Sequence, residues 1–258
     1  MHIVVCIKQV PRDNSVAINP DLSINAEGIE QIMNLFDEYA VEEALRWNEQ
    51  LGGTVTILSL GPEAWKEQLR RALAMGATDA RLLSDPAFVE LDVLGAARAV
   101  AAAIRKLGDV DLVICGRNST DDESGAFAPA LACTLGWPQL TYVGKIAELD
   151  EGGKHIVAER HLEEQVETVE APLPVVITVV KDLNEPRYPS LLRIKKVAKV
   201  EIPTWGAADL GLSDTAPVVS IANRVPPPPR PAGEIIDAPD TAAKVRELVG
   251  KLVEGQVL

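Results

Sequence analysis

Residues 110–136 read "VDLVICGRNSTDDESGAFAPALACTLG": an apolar run, a polar loop bracketed by Gly116 and Gly125, then an alanine-rich segment. An apolar run of strand length has no polar face, so it must be covered on both sides, as in a parallel sheet. In an α/β protein, the turn from such a strand into a helix is where ligands bind. The loop is net acidic, with Asp121, Asp122 and Glu123 against one cation, Arg117, and no lysine. It could hold a metal, a phosphate or nothing.

The same alternation repeats outward from this stretch. "HIVVCI" (2–7), "GGTVTILSLGP" (52–62) and "DARLLS" (79–84) are further strand-length runs. Between them lie helix-period segments. Residues 37–51 turn Ala40, Val41, Ala44, Leu45 and Leu51 toward one face; 63–75 do so with Leu69, Ala72 and Leu73, and 91–107 with Leu94, Ala97, Ala101 and Ile104. Short connections between these units predict an α/β fold: an open, doubly wound, mainly parallel sheet of the Rossmann-like kind. "LTYVGKIAEL", "KHIVAERHL" and "QVETVE" alternate and predict a small antiparallel excursion, after which "LPVVITVV" (173–180) should rejoin the main sheet. The expected organisation is a nucleotide-binding domain over 1–200 and an extended C-terminal arm over 201–258. In the arm, "VPPPPRP" (225–231) must be extended, because prolines have a fixed φ and no donor. A last helix, about 240–254, carries Val245, Leu248, Val249 and Leu252. It either packs back on its own domain or is held away by the proline strut to meet a partner subunit.

Composition removes several function classes. With 38 acidic residues against 25 basic, the net charge of −13 disfavours nucleic acid, whose phosphates need a basic surface. No apolar run approaches the ~18 residues of a membrane helix. Lys8 breaks the N-terminal run, which reads as a core strand and not a signal peptide. Cys6, Cys115 and Cys133 are odd in number and widely spaced, with no Cys-x-x-Cys, so neither a zinc site nor a disulfide framework is expected and a reducing cytoplasm is. There is no Gly-x-Ser-x-Gly, no Walker lysine and no Gly-x-Gly-x-x-Gly after a strand. His2, His155 and His161 have no ligand spacing, and "DDES" lacks the alternating oxygens of a calcium loop. A self-contained enzyme is not expected.

An anion remains possible without a lysine in the loop. Backbone N–H groups at a helix start, the hydroxyls of Ser119, Thr120 and Ser124, and the charge of Arg117 could hold a phosphate, with Asp121 or Asp122 capping the helix. Cys6–Val10, Asn34–Asp37 and Leu60–Pro62 should line the same crevice, which favours an adenine nucleotide over a capped loop with no ligand.

A second stretch, "NEPRYPSLLRIKKVAKVEI" (184–202), strongly resembles the signature of the electron transfer flavoprotein β subunit. "VCIKQVP", "FDEYAVEEALR" (36–46), "RRALAMGATDA", "GRNSTDDESGAFAPALA" (116–132), "LGWPQLT" (135–141) and "AGEII" (232–236) extend the resemblance over nearly the whole chain. It implies a subunit of a heterodimer with a homologous α subunit, which holds most of a redox-active FAD at the interface. It also implies electron transfer from acyl-CoA and related dehydrogenases to an electron-transfer-flavoprotein:quinone oxidoreductase or another acceptor, and a structural AMP, or in bifurcating members a second FAD. By position, the nucleotide contacts would be Cys6, Asn34, Leu35, Phe36, Asp37, Leu60, Asn118, Ser119, Thr120, Asp121, Asp122, Glu123, Ser124, Gly125, Ala126 and Phe127. Leu191 matches the leucine that docks on dehydrogenases, with Arg193, Lys195 and Lys196 steering an acidic rim. Three positions depart from the pattern. Asp13 stands where some members have tyrosine, His161 where some have an acid, and "DDESGA" (121–126) where bifurcating members commonly read Asp-Gly-Asp-Thr-Ala-Gln. The last departure favours AMP. A stand-alone adenine-nucleotide sensor of the universal-stress type is the competing reading, but it needs neither the proline strut nor the "NEPRY" segment.

Overall fold

The computed structural model describes all residues except 13–16, 21–23, 26, 151, 153, 214, 220–227, 230, 231 and 258. Asp13 and all of "VPPPPRP" but Pro228 and Pro229 therefore lie outside the described residues. The chain starts with β1 (His2–Cys6), followed by β2 (Gln9–Pro11), β3 (Ala17–Ile18), β4 (Ile24–Asn25) and β5 (Gln31–Met33). These last four form two small antiparallel ladders, β2 with β5 and β3 with β4. Then come α1 (Leu35–Leu51), β6 (Thr54–Leu60), α2 (Lys66–Met75), β7 (Asp79–Leu83), α3 (Val93–Leu107), β8 (Leu112–Gly116) and α4 (Phe127–Leu135). The antiparallel stretch is β9 (Gln139–Asp150), β10 (His155–His161) and β11 (Val166–Pro172), and β12 (Val175–Val179) returns. The chain goes on through α5 (Leu191–Val197), β13 (Thr204–Trp205) and α6 (Thr241–Glu254).

One nine-stranded sheet carries the fold, in the order β11-β10-β9-β12-β8-β1-β6-β7-β13. From β12 to β13 neighbouring strands are parallel; β10 and β11 are antiparallel additions at one edge. The expected doubly wound sheet is what forms, and the antiparallel excursion extends that sheet. Strand side chains alternate between its faces. Val5 and Ile57 join α1 and α2 in one core layer, while Val4, Cys6 and Leu58 join α3 and α4 in the other. Each fully buried side chain of this kind contributes about 1.5–3 kcal/mol.

The chain leaves β1 toward β6 and β7, then crosses back to β8 on the other side of β1. That reversal opens a crevice beyond the carboxyl ends of β1 and β8, whose register pairs Cys6 with Cys115.

Residues beyond 201 still add a strand to the main sheet. β13 pairs with β7, Thr204 opposite Leu82 and Trp205 opposite Leu83, and Arg81 and Lys106 lie 5.5 and 5.1 Å from the Trp205 ring. A two-residue strand has no periodicity to read, and this one draws the segment into the first compact unit, Met1–Ala222. The second unit, Asn223–Leu258, contains α6, whose first turn is capped by the Asp240 carboxylate accepting the Ala243 N–H at 2.8 Å. Its Val245, Leu248, Val249 and Val253 are exposed. No helix of the described residues is long and apolar enough to cross a membrane.

Candidate functional site

A cavity of about 660 Å³ occupies the crevice, a size suited to a small-molecule ligand. Leu58, Phe88, Ala96 and Val100 give it an apolar wall; Lys8, Asn118, Ser119 and Ser124 stand on its polar side.

Asn34 and Asp37 build the polar side from the start of α1. Asn34 Nδ2 donates to Asn118 O at 2.8 Å and to Asp37 Oδ1 at 3.0 Å, while its Oδ1 accepts the Thr120 N–H at 3.2 Å. The Asp37 carboxylate accepts the N–H groups of Lys8 at 2.7 Å and Gly116 at 3.2 Å, tying the ends of β1 and β8 to one helix. Burial pushes the Asp37 carboxyl up to about 7, although the Lys8 N–H, Asn34, the Gly116 N–H and the Lys8 charge all pull it down. Gly116 is required here, since a Cβ would collide with Asp37 Oδ1 and Phe36.

The loop is shaped from within. Glu123 (φ +54°) and Gly125 (φ +61°) turn the backbone, the Glu123 N–H donates to Ser119 O at 2.9 Å, and Asp122 Oδ1 accepts the Ser124 N–H at 2.8 Å. The expected cap is therefore corrected. Neither Asp121 nor Asp122 caps α4, whose N-cap is Ala126 with no side-chain cap bond. The turn at 122–125 closes Asp122 on Ser124 and aims Asp121 away, at Lys8.

Lys8 supplies the lysine that the loop itself lacks. Its Nζ lies 2.7 Å from Asp121 Oδ1, 3.2 Å from Ser119 Oγ and 3.6 Å from Asp122 Oδ2. Burial opposes ionisation of Asp122, but the Ser124 N–H and hydroxyl, Lys8 and Ser119 outweigh it and hold this carboxyl below its ordinary value. Arg117 stacks beside two rings, 5.2 Å from Phe36 and 5.5 Å from Tyr142.

Of the residues expected from sequence, Cys6, Asn34, Asp37, Leu60, Asn118, Ser119, Asp122, Ser124, Gly125 and Phe127 line the cavity. The other six do not. Leu35 is half-exposed, Phe36 lies against Arg117, the Thr120 N–H is bonded to Asn34, and Asp121 pairs with Lys8. Glu123 is exposed and Ala126 starts α4. Sequence reading placed Lys8 only within the Cys6–Val10 stretch of the crevice, with no role of its own, and it missed the far wall around Phe88 and Val93, although "SDPAFVELD" (84–92) follows a strand as the other site loops do. The lining fits a phosphorylated nucleoside: cations at the polar side, an uncapped helix start, an apolar wall, and one free acceptor, the buried Asn118 Oδ1, for a ligand hydroxyl.

The "NEPRY" segment forms a second constellation on the middle of α1. Asn184 Nδ2 donates to Tyr39 O at 3.0 Å and Glu43 Oε2 at 2.9 Å. The Arg187 N–H and Nε donate to Glu42 Oε2 at 3.1 and 2.8 Å, and its Nη2 to Glu42 Oε1 at 3.1 Å; Nη1 reaches Glu49. Burial opposes the Glu42 charge, yet Arg187 and Arg46 hold its carboxyl below the ordinary value. This clamp presents α5, capped by Ser190, with Leu191 77% and Leu192 79% exposed. Arg193 Nη1 donates to Met75 O at 3.0 Å, closing the end of α2, while Lys195 and Lys196 are exposed in the last turn of α5.

Each histidine has its own neighbours. His155 sits 3.4 Å from Glu148 and 4.0 Å from Asp150 across the β9–β10 ladder, at the sheet edge away from the cavity. His2 Nε2 meets Thr56 Oγ1 at 2.9 Å, and His161 Nδ1 lies 3.8 Å from Asp182. Cys6, Cys115 and Cys133 are free thiols.

Against known proteins, the electron transfer flavoprotein domain matches residues 21–210. The chain is 40% identical to the electron transfer flavoprotein subunit beta of Clostridium acetobutylicum over 98% of each chain. It is 39% identical to the protein FixA of Azorhizobium caulinodans, over 83% of this chain and 78% of that one. It is 37% identical to the caffeyl-CoA reductase-Etf complex subunit CarD of Acetobacterium woodii, over 98% and 97%.

Proposed function

The chain belongs to the electron transfer flavoprotein family, among its β subunits and FixA proteins, and on that premise we propose that it is the nucleotide-holding electron-carrier subunit of a heterodimer. In this reading it has no catalysis of its own. An α subunit binds most of an FAD, which supplies the redox chemistry, and this chain contributes the face around Leu35, Phe36, Arg117 and Tyr142. The second unit, with its exposed apolar stripe on α6, docks on that α subunit. Electrons arrive from acyl-CoA-type dehydrogenases and leave to an electron-transfer-flavoprotein:quinone oxidoreductase or a comparable acceptor. Free Cys6, Cys115 and Cys133 fit a reducing cytoplasm.

The observation that carries the nucleotide role is the 660 Å³ cavity at the reversal of strand order, apolar on one wall and with Lys8 and Arg117 on its polar side. AMP is the proposed occupant, with its phosphate toward the loop at 118–127 and its ring toward Phe88 and Val100. Co-expression with the α subunit, followed by release and counting of bound cofactors, tests this. One FAD and one AMP per heterodimer is the expected result. Two FAD would replace AMP with a second dinucleotide, and a lone chain that binds stoichiometric flavin and turns over substrate would overturn the carrier reading.

The exposed Leu191 on α5 is the proposed dehydrogenase anchor. Leu191→Ala should slow transfer from the dehydrogenase roughly tenfold, the size of a modest hot spot, with the flavin spectrum unchanged. An unaltered transfer rate would remove the docking role.

A further inference from the structure

The position of Lys8 carries an inference that rests on the nucleotide reading of the cavity. Its backbone N–H is fixed by the buried Asp37 carboxylate at 2.7 Å, so the side chain leaves a fixed point just beyond β1. The tip is partly exposed, lines the cavity, and meets the loop more than a hundred residues away in sequence. Its two carboxylate neighbours are not equivalent. Asp122 is fixed by the Ser124 N–H and sits 3.6 Å from Nζ, an ion-pair distance beyond a hydrogen bond. Asp121 bonds Nζ at 2.7 Å, and among the described residues that is the bond its carboxylate makes.

We propose that Lys8 is the phosphate-reading cation of the cavity and that Asp121 is its internal competitor. A partly exposed lysine–aspartate pair is weak. A hydrogen bond from an ammonium to a phosphate dianion is stronger, and the uncapped start of α4 adds backbone donors on the same loop. A nucleoside monophosphate therefore exchanges with the Asp121 carboxylate at Nζ, while Ser119 and Asp122 keep the ammonium in place. The acidity of the loop then acts as a threshold. A ligand without a phosphate has nothing to exchange and gains nothing from Lys8, so the Lys8–Asp121 pair sets selectivity for phosphorylated nucleosides over free ones. Loop and lysine work as one device.

The test is calorimetric titration of the nucleotide-stripped full-length protein with AMP and with adenosine. Lys8→Gln should weaken AMP about 10- to 100-fold, the range for hydrogen bonds to charged groups, and leave adenosine within about 2-fold. Asp121→Asn should tighten AMP about 3- to 10-fold, again without effect on adenosine, and Lys8→Arg should retain the discrimination. Unchanged AMP affinity in Lys8→Gln would overturn the proposal. So would equal losses for AMP and adenosine, which would make Lys8 a prop for the loop, or weaker AMP binding in Asp121→Asn. Wild-type protein that takes up neither AMP nor adenosine would instead overturn the nucleotide reading itself, before any substitution is compared.

Discussion

The middle of α1 and its N-terminus each anchor a polar constellation, and the two differ in what they leave unbonded. At the middle, Glu42, Glu43, Arg46, Trp47 and Glu49 bond to one another or to Asn184, Glu185 and Arg187. One buried acceptor there, Asn184 Oδ1, has no partner, and Asn184 is not among the residues that line the cavity. At the N-terminus, Asn34 and Asp37 are equally engaged, but the groups they position are not. Asn118 Oδ1 is buried without a partner beside the cavity, Lys8 is partly exposed there, and α4 starts uncapped. The difference separates structure from function within one helix. The "NEPR" stretch works as a clamp, and the proposed ligand chemistry sits where internal bonding stops short.

If that contrast holds, the clamp should show the larger stability effect. Arg187→Ala removes the guanidinium from a Glu42 side chain that is only 3% exposed. Leaving a buried carboxylate short of a partner costs about 3 kcal/mol, measured by urea unfolding. Arg187→Lys should recover less than half of that, because a point charge cannot serve Nε, Nη1 and Nη2 contacts together. The sign with pH is fixed by the depressed Glu42 carboxyl. Its stabilisation is fully present above the ordinary value of 4.5 and is lost as pH falls through the lower folded value. Arg187→Ala should flatten that acid limb. A loss below about 1 kcal/mol would place the clamp among surface ion pairs and end the contrast.

The same helix shows what sequence could and could not reveal. Uniformly apolar runs such as "VDLVIC" disclose a covered parallel strand, and the loop after each one discloses a site, because both signals are local. The role of Lys8 within the expected Cys6–Val10 lining escaped this reading because its partners are Ser119 and Asp121, and only the crossing from β1 to β8 brings them together. The buried acids Glu42 and Glu43 escaped it too, since on a helix they look like a solvated face until Asn184 and Arg187 fold over them. The helix cap was misplaced for a third reason. Two residues with positive φ, Glu123 and Gly125, rotate Asp122 out of line with α4, and spacing alone does not record that rotation.

Asp37 tests the N-terminal region at intermediate cost. Its carboxyl, pushed up to about 7 by burial, binds a proton in the folded chain between the ordinary 3.8 and 7, where the unfolded chain does not. Its stabilising contribution is thus complete below 3.8 and disappears as pH rises through 7. Asp37→Asn should remove that slope relative to wild type in urea unfolding across the same window. It should also cost about 1–2 kcal/mol, because the amide NH₂ would face the N–H of Lys8 or Gly116 and leave it unsatisfied. Identical pH slopes in the two proteins would mean that Asp37 stays ionised and that the junction is as fully compensated as the clamp.

The smallest stability effect, and the sharpest division between the regions, belongs to a pair of asparagines. Each carries a buried Oδ1 with no partner in the protein. Asn184→Ala discards the donors to Tyr39 O and Glu43 Oε2, so it should cost about 1–2 kcal/mol and leave AMP affinity unchanged. Asn118→Ala keeps the backbone carbonyl that holds Asn34, and it discards an acceptor that nothing in the protein uses. Stability should stay within about 0.5 kcal/mol, while AMP affinity falls about 3- to 10-fold for one lost hydrogen bond. Two outcomes would break the division: Asn118→Ala unfolding as readily as Asn184→Ala, or both variants binding AMP like wild type. In either case the unpartnered oxygen beside the cavity would be packing, as it is in the clamp.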